Sequence, residues 1–255
     1  MSRPARGAAS LALVVALSPA CSGSGTSPPP DAGPTGNFAL HFNGTTDYAT
    51  TGTAGFPSGQ VPQTISLWVR YAAADSTQTF VSLREDFASG IQVGIRDGTI
   101  AVWTVFGDVK LAEAPTPPLA GVWHHVAYVL DVPDGGYSNT LYIDGAVSAT
   151  TTATPNQRTP VMSWIGSLDG TQDFFAGDLD EIRVWHLART GEEVLEEMRG
   201  QVASKEPGLV AYFDCNVIQG TRVPDDSGNG NDATLGGGDP RYMPTLVPSD
   251  VPPAL

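Results

Sequence analysis

Gly177-Asp178-Leu179-Asp180-Glu181-Ile182-Arg183-Val184-Trp185-His186 is the stretch that says most about the fold, because apolar and polar residues alternate along it. In a β-strand, residues two apart lie on the same face. Asp180 is therefore expected to share a face with Ile182 and Val184. If that face is buried, the Asp180 carboxylate lies at the mouth of the core, where it needs a partner or a metal ion to offset its lost hydration.

Four segments earlier in the chain also have strand-like or turn-like patterns: Phe42-Asn43-Gly44-Thr45-Thr46-Asp47-Tyr48, Thr64-Ile65-Ser66-Leu67-Trp68-Val69, Trp123-His124-His125-Val126-Ala127 and Leu141-Tyr142-Ile143-Asp144-Gly145. In this order and spacing, the five segments resemble the laminin-G-like/pentraxin jelly roll of the concanavalin A-like lectin/glucanase superfamily. Residues 208–213 and 225–235 resemble a further hallmark of such domains. The sequence leaves open whether they complete the sandwich or begin a truncated repeat.

The strand signals themselves predict the same architecture. About a dozen short runs with strand composition follow one another from Phe38 onward, separated by turn residues. Asp97-Gly98 and Asp144-Gly145 each lie between two such runs, which is typical of tight hairpins. We therefore predict an all-β fold, a two-sheet antiparallel jelly-roll sandwich, with one short helix after the last main strand.

The single helix signal covers Gly191 to Arg199. Thr190 precedes it as a good N-cap, and Glu193 stands three residues later, which completes a capping box. Val194, Leu195 and Met198 form the expected buried stripe, and Gly200 supplies the left-handed stop.

Residues 1–20 are predicted to be a signal peptide, with basic residues before an apolar core that is too short to span a bilayer. Residues 21–36 read as a Ser/Gly/Pro linker. Cys21 follows Leu17-Ser18-Pro19-Ala20, which resembles a bacterial lipobox, so Cys21 is the candidate lipidation site. Export to the cell envelope is expected, with lipid anchoring to a membrane or, failing that, a periplasmic or secreted location.

Residues 37–235 are predicted to form the jelly-roll domain, and residues 236–255 a loosely packed, Pro-rich tail. Cys215 is expected to be a small buried residue rather than a catalytic thiol. The formal net charge is −14. Such an acidic chain repels phosphate backbones, so nucleic acid is not expected as a partner.

The resemblance also implies a structural calcium ion, because related domains often hold one between an early turn and the last strand. By resemblance, the ligands here are the Asp180 carboxylate and the Gly44 carbonyl, with Asp47 as a possible third. The alternative is that Asp180 accepts hydrogen bonds from backbone amides across the sheet and that Asp47 caps a turn. No small-molecule cofactor is expected.

The functional prediction is an exported binding or adhesion module that recognises a glycan or a surface protein through loops at the rim of the sandwich. Trp103 with Phe106, and Trp164, could stack on a sugar, although burial in the core is the alternative for each. A second candidate function is a structural component of the cell envelope without a small ligand. A third, a diverged glycoside hydrolase, is disfavoured because no strand carries the paired acids of such enzymes, so no catalytic activity is expected.

Overall fold

The computed structural model describes residues 36–251, except residues 87–88, 106–108 and 201. The described residues all belong to the compact unit Gly33–Leu255. The predicted signal peptide, Cys21 and Phe106 lie outside them, so the predictions for export and lipidation stay predictions.

Two antiparallel sheets of eight strands each form the sandwich. The front sheet runs in the order β10-β9-β8-β3-β12-β1-β16, with β13 also beside β12. Its strands are β1 (Phe38–Asn43), β3 (Gln63–Tyr71), β8 (His124–Asp131), β9 (Ser138–Ile143), β10 (Ala146–Thr151), β12 (Ala176–Trp185), β13 (Leu209–Phe213) and β16 (Thr245–Pro248).

The back sheet runs in the order β14-β15-β2-β11-β4-β5-β6-β7. Its strands are β2 (Ala49–Thr51), β4 (Gln78–Asp86), β5 (Ser89–Arg96), β6 (Thr99–Thr104), β7 (Lys110–Glu113), β11 (Met162–Ile165), β14 (Arg222–Val223) and β15 (Ala233–Leu235). The predicted all-β jelly-roll sandwich is confirmed.

The core lies between the sheets and is built from alternate residues of each strand. Leu67 and Val69 of the front sheet belong to the same buried cluster as Val81 and Val93 of the back sheet. At the predicted hairpin turns, Asp97 and Asp144 have φ angles of 51° and 52°, and each is followed by a glycine that also has a positive φ. This is the left-handed geometry that tight two-residue turns require.

Strand β12 lies between β3 and β1 in the front sheet and contains a β-bulge. On one side it pairs with β3, and the register shifts between Asp180 and Arg183. Glu181 is the extra residue, with a φ of 52°. Because paired residues share a face, Asp180 lies opposite Trp68 on the outer face, whereas Ile182 and Val184 remain in the core. The prediction that Asp180 shares their face was wrong, because the bulge adds one residue to the alternation.

The predicted helix is confirmed as α1, Gly191–Met198, and both bonds of the capping box between Thr190 and Glu193 are present. Gly200 follows it with a φ of 68°, as expected for the left-handed stop. No helix in the described part of the chain combines the length and apolar character needed to cross a membrane.

The C-terminal residues complete the sandwich. Strand β13 pairs with β12, and β15 pairs with β2, so residues 208–235 belong to the same domain rather than to a second copy. The segment predicted as a loosely packed tail forms the edge strand β16, which pairs with β1 through Ala39 and Val247. That prediction was wrong because a short strand can take its stability from the free edge of β1, despite the prolines around it.

Candidate ligand-binding pocket at the rim of the sandwich

Three loops meet at one end of the sandwich around an open pocket of about 340 Å³, which we call the rim pocket. They are the turn after β1, the loop between β11 and β12, and the 3₁₀ turn Pro240–Tyr242. The residues that line it are Thr45, Thr46, Tyr48, Gly170, Thr171, Phe174 and Tyr242. Three of these carry aromatic rings, three are threonines, and none is an acidic or basic residue.

Backbone hydrogen bonds and a glycine position the aromatic rings of the rim pocket. The rings of Tyr48 and Tyr242 stack, with their centroids 6.3 Å apart. The Tyr48 N–H donates to the Tyr242 carbonyl at 3.1 Å, and the Gly236 N–H donates to the Tyr48 carbonyl at 2.7 Å. A Cβ at Gly170, which has a φ of +78°, would lie 3.3 Å from the Tyr48 ring. Glycine at this position therefore lets the β11–β12 loop pack directly on that ring.

The turn that carries Thr45 and Thr46 is held by the side chains at its two ends. The Asn43 Oδ1 accepts bonds from the backbone N–H groups of Thr45 at 2.8 Å and Thr46 at 2.9 Å. The Asp47 carboxylate accepts bonds from the Asn43 backbone N–H at 3.1 Å and from its side-chain amide at 2.7 Å. Burial raises the pKa of Asp47, against the effect of these bonds. Asp47 thus caps the turn, as one of the two sequence interpretations expected.

The structure does not bring the predicted calcium ligands together. Gly44 packs against Ala176 at the start of β12, and its N–H donates to the Phe175 carbonyl at 2.9 Å. Asp180 lies four residues beyond Ala176, which is about 13 Å along an extended strand. Over the described residues, no group of three or more His, Cys, Asp or Glu side chains could hold a metal ion. A calcium ion held jointly by Asp180, Gly44 and Asp47 does not fit this geometry.

Asp180 is instead buried beneath the C-terminal segment. Its Oδ1 accepts a bond from the Glu181 N–H at 2.8 Å, and its Oδ2 accepts one from the Ser249 hydroxyl at 2.5 Å. Burial raises the pKa of Asp180 to about 8, more than these bonds lower it. The group is therefore mostly protonated at neutral pH. Asp180 accepts an amide bond as the alternative interpretation expected, but from the next residue rather than from across the sheet.

The tryptophans considered as sugar platforms offer little free surface. Trp103 is 3% exposed and Trp164 is 7% exposed. The guanidinium groups of Arg96 and Arg84 lie 5.5 and 5.7 Å from the centroids of these two rings. The three aromatic residues of the rim pocket are more exposed: all are half-buried, so part of each remains open to solvent. The Arg241 guanidinium lies 5.3 Å from the centroid of the Tyr242 ring, but Arg241 is not among the residues that line the pocket.

The family model described as the concanavalin A-like lectin/glucanases superfamily matches residues 43–195, which is more than half of the chain. The chain belongs to this superfamily. The matched region starts at Asn43, the last residue of β1, and ends in α1. No curated protein sequence matches the chain.

Two solved structures show the same superfamily fold. A candidate carbohydrate-binding protein from Bacteroides ovatus has a TM-score of 0.65 and 19% identity, over 86% of this chain and 61% of its own. The chain thus spans less than two thirds of that protein. Domain 4 of AbnA, an extracellular arabinanase from Geobacillus stearothermophilus in complex with arabinotriose, has a TM-score of 0.53 and 22% identity, over 62% of this chain and 75% of its own.

Sequence patterns predicted binding at rim loops, but they did not point to Phe174 or Tyr242. One local signal was present for Tyr242: an Asp before a Pro at the first helical position marks a helix start. In the structure, Asp239 accepts a bond from the Arg241 N–H at 3.0 Å and so begins the 3₁₀ turn that holds Tyr242. No local signal predicts Phe174, because its role depends on three loops that are distant in sequence.

Proposed function

We propose that this protein is a carbohydrate-binding module and that its rim pocket takes a neutral sugar unit. The observation that carries the proposal is the lining of the rim pocket, where three aromatic residues and three threonine hydroxyls surround one open space. The pocket volume of about 340 Å³ is within the range of small-molecule sites, roughly 300–1,000 Å³.

The chemistry of the lining matches that of a sugar. A pyranose or furanose ring has an apolar face of C–H groups, which packs on aromatic rings, and a polar edge of hydroxyls. The rings of Tyr48, Phe174 and Tyr242 can contact the former, and hydroxyls such as that of Thr171 can bond to the latter. Because no charged side chain lines the pocket, a neutral unit fits it better than an ionised one.

The structural neighbours support the same class of ligand. One is described as a carbohydrate-binding protein, and the other is a domain of an arabinanase with arabinotriose bound. Their low identity to this chain leaves the particular sugar to be determined by experiment.

A glycan array probed with the full-length protein tests the proposal. We expect neutral glycan spots to bind the parent protein and to be lost with Tyr242→Ala, which removes a ring from the rim pocket. Tyr242→Phe is the matched control, since it keeps the ring and should keep the binding. An array without neutral glycan signals, or signals that Tyr242→Ala leaves unchanged, would refute the rim pocket as the site.

The same array separates the other candidate functions. Recognition of a surface protein or a purely structural role in the envelope predicts no glycan signal at all. A glycoside hydrolase predicts that bound glycans are cleaved, which is measured as new reducing ends in solution.

Export and anchoring also belong to the proposal, in which Cys21 carries the lipid. Cys21→Ser should then release the protein from membranes into the soluble fraction, because the anchor is lost. Unchanged membrane partitioning, with no mass added at Cys21 in the parent protein, would contradict lipidation.

A further inference from the structure

A second concave surface lies on the outer face of the front sheet, separate from the rim pocket. It is an open groove of about 470 Å³, which we call the front groove. Its lining residues are His41, Phe42, Asn43, Arg70, Tyr71, Ala72, Gly121, Ala176, Gly177 and Asp178. In contrast to the rim pocket, it contains basic and acidic side chains, and these belong to His41, Arg70 and Asp178.

These three side chains form one row across three neighbouring strands. Asp178 of β12 pairs with His41 of β1 on one side and with Arg70 of β3 on the other. Because the residues lie on strands rather than on loops, the sheet fixes their relative positions.

Arg70 is held in place by two contacts. Its Nε donates to the Asp178 Oδ2 at 2.8 Å. Its guanidinium carbon lies 4.8 Å from the centroid of the Trp123 ring, within the range of a cation–π contact. The side chain keeps 33% of its surface exposed, and neither terminal nitrogen has a hydrogen-bond partner among the described residues. Arg70 therefore presents an oriented cation whose terminal donors are free for a ligand.

Both carboxylate oxygens of Asp178 are already bonded within the protein, so Asp178 does not present a free acceptor to a ligand in the front groove. Its Oδ1 is bonded to the His41 Nδ1 at 2.7 Å, and its Oδ2 receives the Arg70 bond. The Asp178 side chain is only 10% exposed, and it is the one carboxylate in the lining. The groove thus offers guanidinium donors but no free carboxylate, and this balance favours a ligand that only accepts hydrogen bonds.

We infer that the front groove binds a carboxylate ligand through Arg70, and the assignment of this carboxylate to an acidic sugar unit rests on the proposed carbohydrate-binding function. A carboxylate is planar and acceptor-only, and the guanidinium is the side chain that matches it best in shape and charge. Asp178 and Trp123 act as positioning residues, which hold Arg70 in place. The net charge of −14 repels anions at long range, so binding depends on this local cation and weakens as salt is added.

Calorimetric titration of the full-length protein with D-galacturonate tests the inference, with D-galactose as the neutral analogue. We expect galacturonate to bind and Arg70→Gln to weaken that binding by on the order of tenfold, because a charge-assisted contact is lost. Arg70→Lys should weaken it less, since the charge remains but the planar fork is lost. Arg158→Gln is the matched control, because Arg158 is 67% exposed and lies beside Glu85 of the back sheet. It should bind like the parent protein.

A measurement on the parent protein avoids dependence on any variant. In a ¹⁵N NMR titration, galacturonate should shift the Arg70 Nε–H and Trp123 indole signals, whereas galactose should leave both in place. Equal affinity for galacturonate and galactose, an unchanged affinity in Arg70→Gln, or absent shifts would each overturn the inference. Tyr242→Ala should keep galacturonate binding, because Tyr242 lines only the rim pocket. The rim-pocket proposal therefore fails on the glycan array with Tyr242→Ala, whereas this inference fails in the galacturonate titration with Arg70→Gln.

Discussion

At the scale of single residues, Asp180 shows how one inserted residue changes the chemistry of a strand. The bulge at Glu181 turns the Asp180 carboxyl toward Ser249, where burial raises its pKa to about 8. Between pH 4 and 8 the folded protein therefore holds this proton more tightly than the unfolded chain, whose Asp pKa is about 3.9. The stabilisation from this group is complete below about pH 4 and is lost as the pH rises through about 8.

Asp180→Asn should remove this pH dependence, because the amide keeps the shape of the protonated acid but cannot ionise. We expect the free energy of unfolding of the variant, relative to the parent protein, to rise from pH 5 to about pH 8 and to level off above that pH. Urea unfolding of both proteins at several pH values measures this difference. Parallel stability curves for the two proteins would contradict a raised pKa at Asp180.

The position of Asp180 also determines what we expect from a test for bound calcium. Gly44, in the turn after β1, packs against Ala176, which is four residues from Asp180 along β12. Because the predicted ligands are not brought together, chelation is expected to leave the melting temperature unchanged. A ligand that binds only the folded state would raise that temperature, so its removal would lower it. A lower melting temperature with chelator, together with calcium in elemental analysis, would show an ion held by other ligands.

At the scale of elements, the helix was predictable and its buried acid was not. Thr190, Glu193 and the apolar stripe are local signals, and α1 follows them. Glu197 of the same helix is buried with Arg189 and Ser66, because the helix packs on the outer face of β3. That packing depends on contacts across more than a hundred residues, which no local pattern contains.

Thr190→Ala should reduce the free energy of unfolding by about 1 kcal/mol, because it leaves a first-turn amide of α1 without its cap. Thr190→Ser keeps the hydroxyl and is expected to unfold like the parent protein. Thermal melts of the three proteins compare them directly. Overlapping curves for the alanine variant and the parent would show that the cap contributes nothing.

Strand β16 was not predicted from the sequence, and its removal should lower the stability of the fold. Deletion of residues 245–255 exposes the edge of β1 and takes away Ser249, the partner of Asp180. We expect a clear fall in melting temperature, whereas deletion of residues 252–255 alone leaves β16 in place. Equal melting temperatures for the two shortened proteins would mean that β16 does not stabilise the sandwich.

At the scale of the whole molecule, the fold was predictable and the two proposed binding surfaces were not. The sandwich follows from repeated local signals: alternating strands, Asp-Gly turns and one capped helix. The rim pocket joins residues 45–48, 170–174 and 242, and the front groove joins Arg70 to Asp178 through strand register. Both depend on which strands become neighbours, and that is a property of the complete chain.

The two surfaces are close to each other, which leads to a last prediction. Asn43 lines the front groove, and Thr45, two residues later, lines the rim pocket. Likewise, Phe174 lines the rim pocket, and Ala176, two residues later, lines the front groove. One oligosaccharide with neutral and uronic acid units could therefore fill both at once. Binding of one part of the oligosaccharide at one site would raise the effective concentration of its other part at the second site.

We expect one such oligosaccharide to bind per protein chain in calorimetry, with its affinity lowered by either Arg70→Gln or Tyr242→Ala. Two molecules per chain, each affected by only one of these variants, would show that the sites act independently.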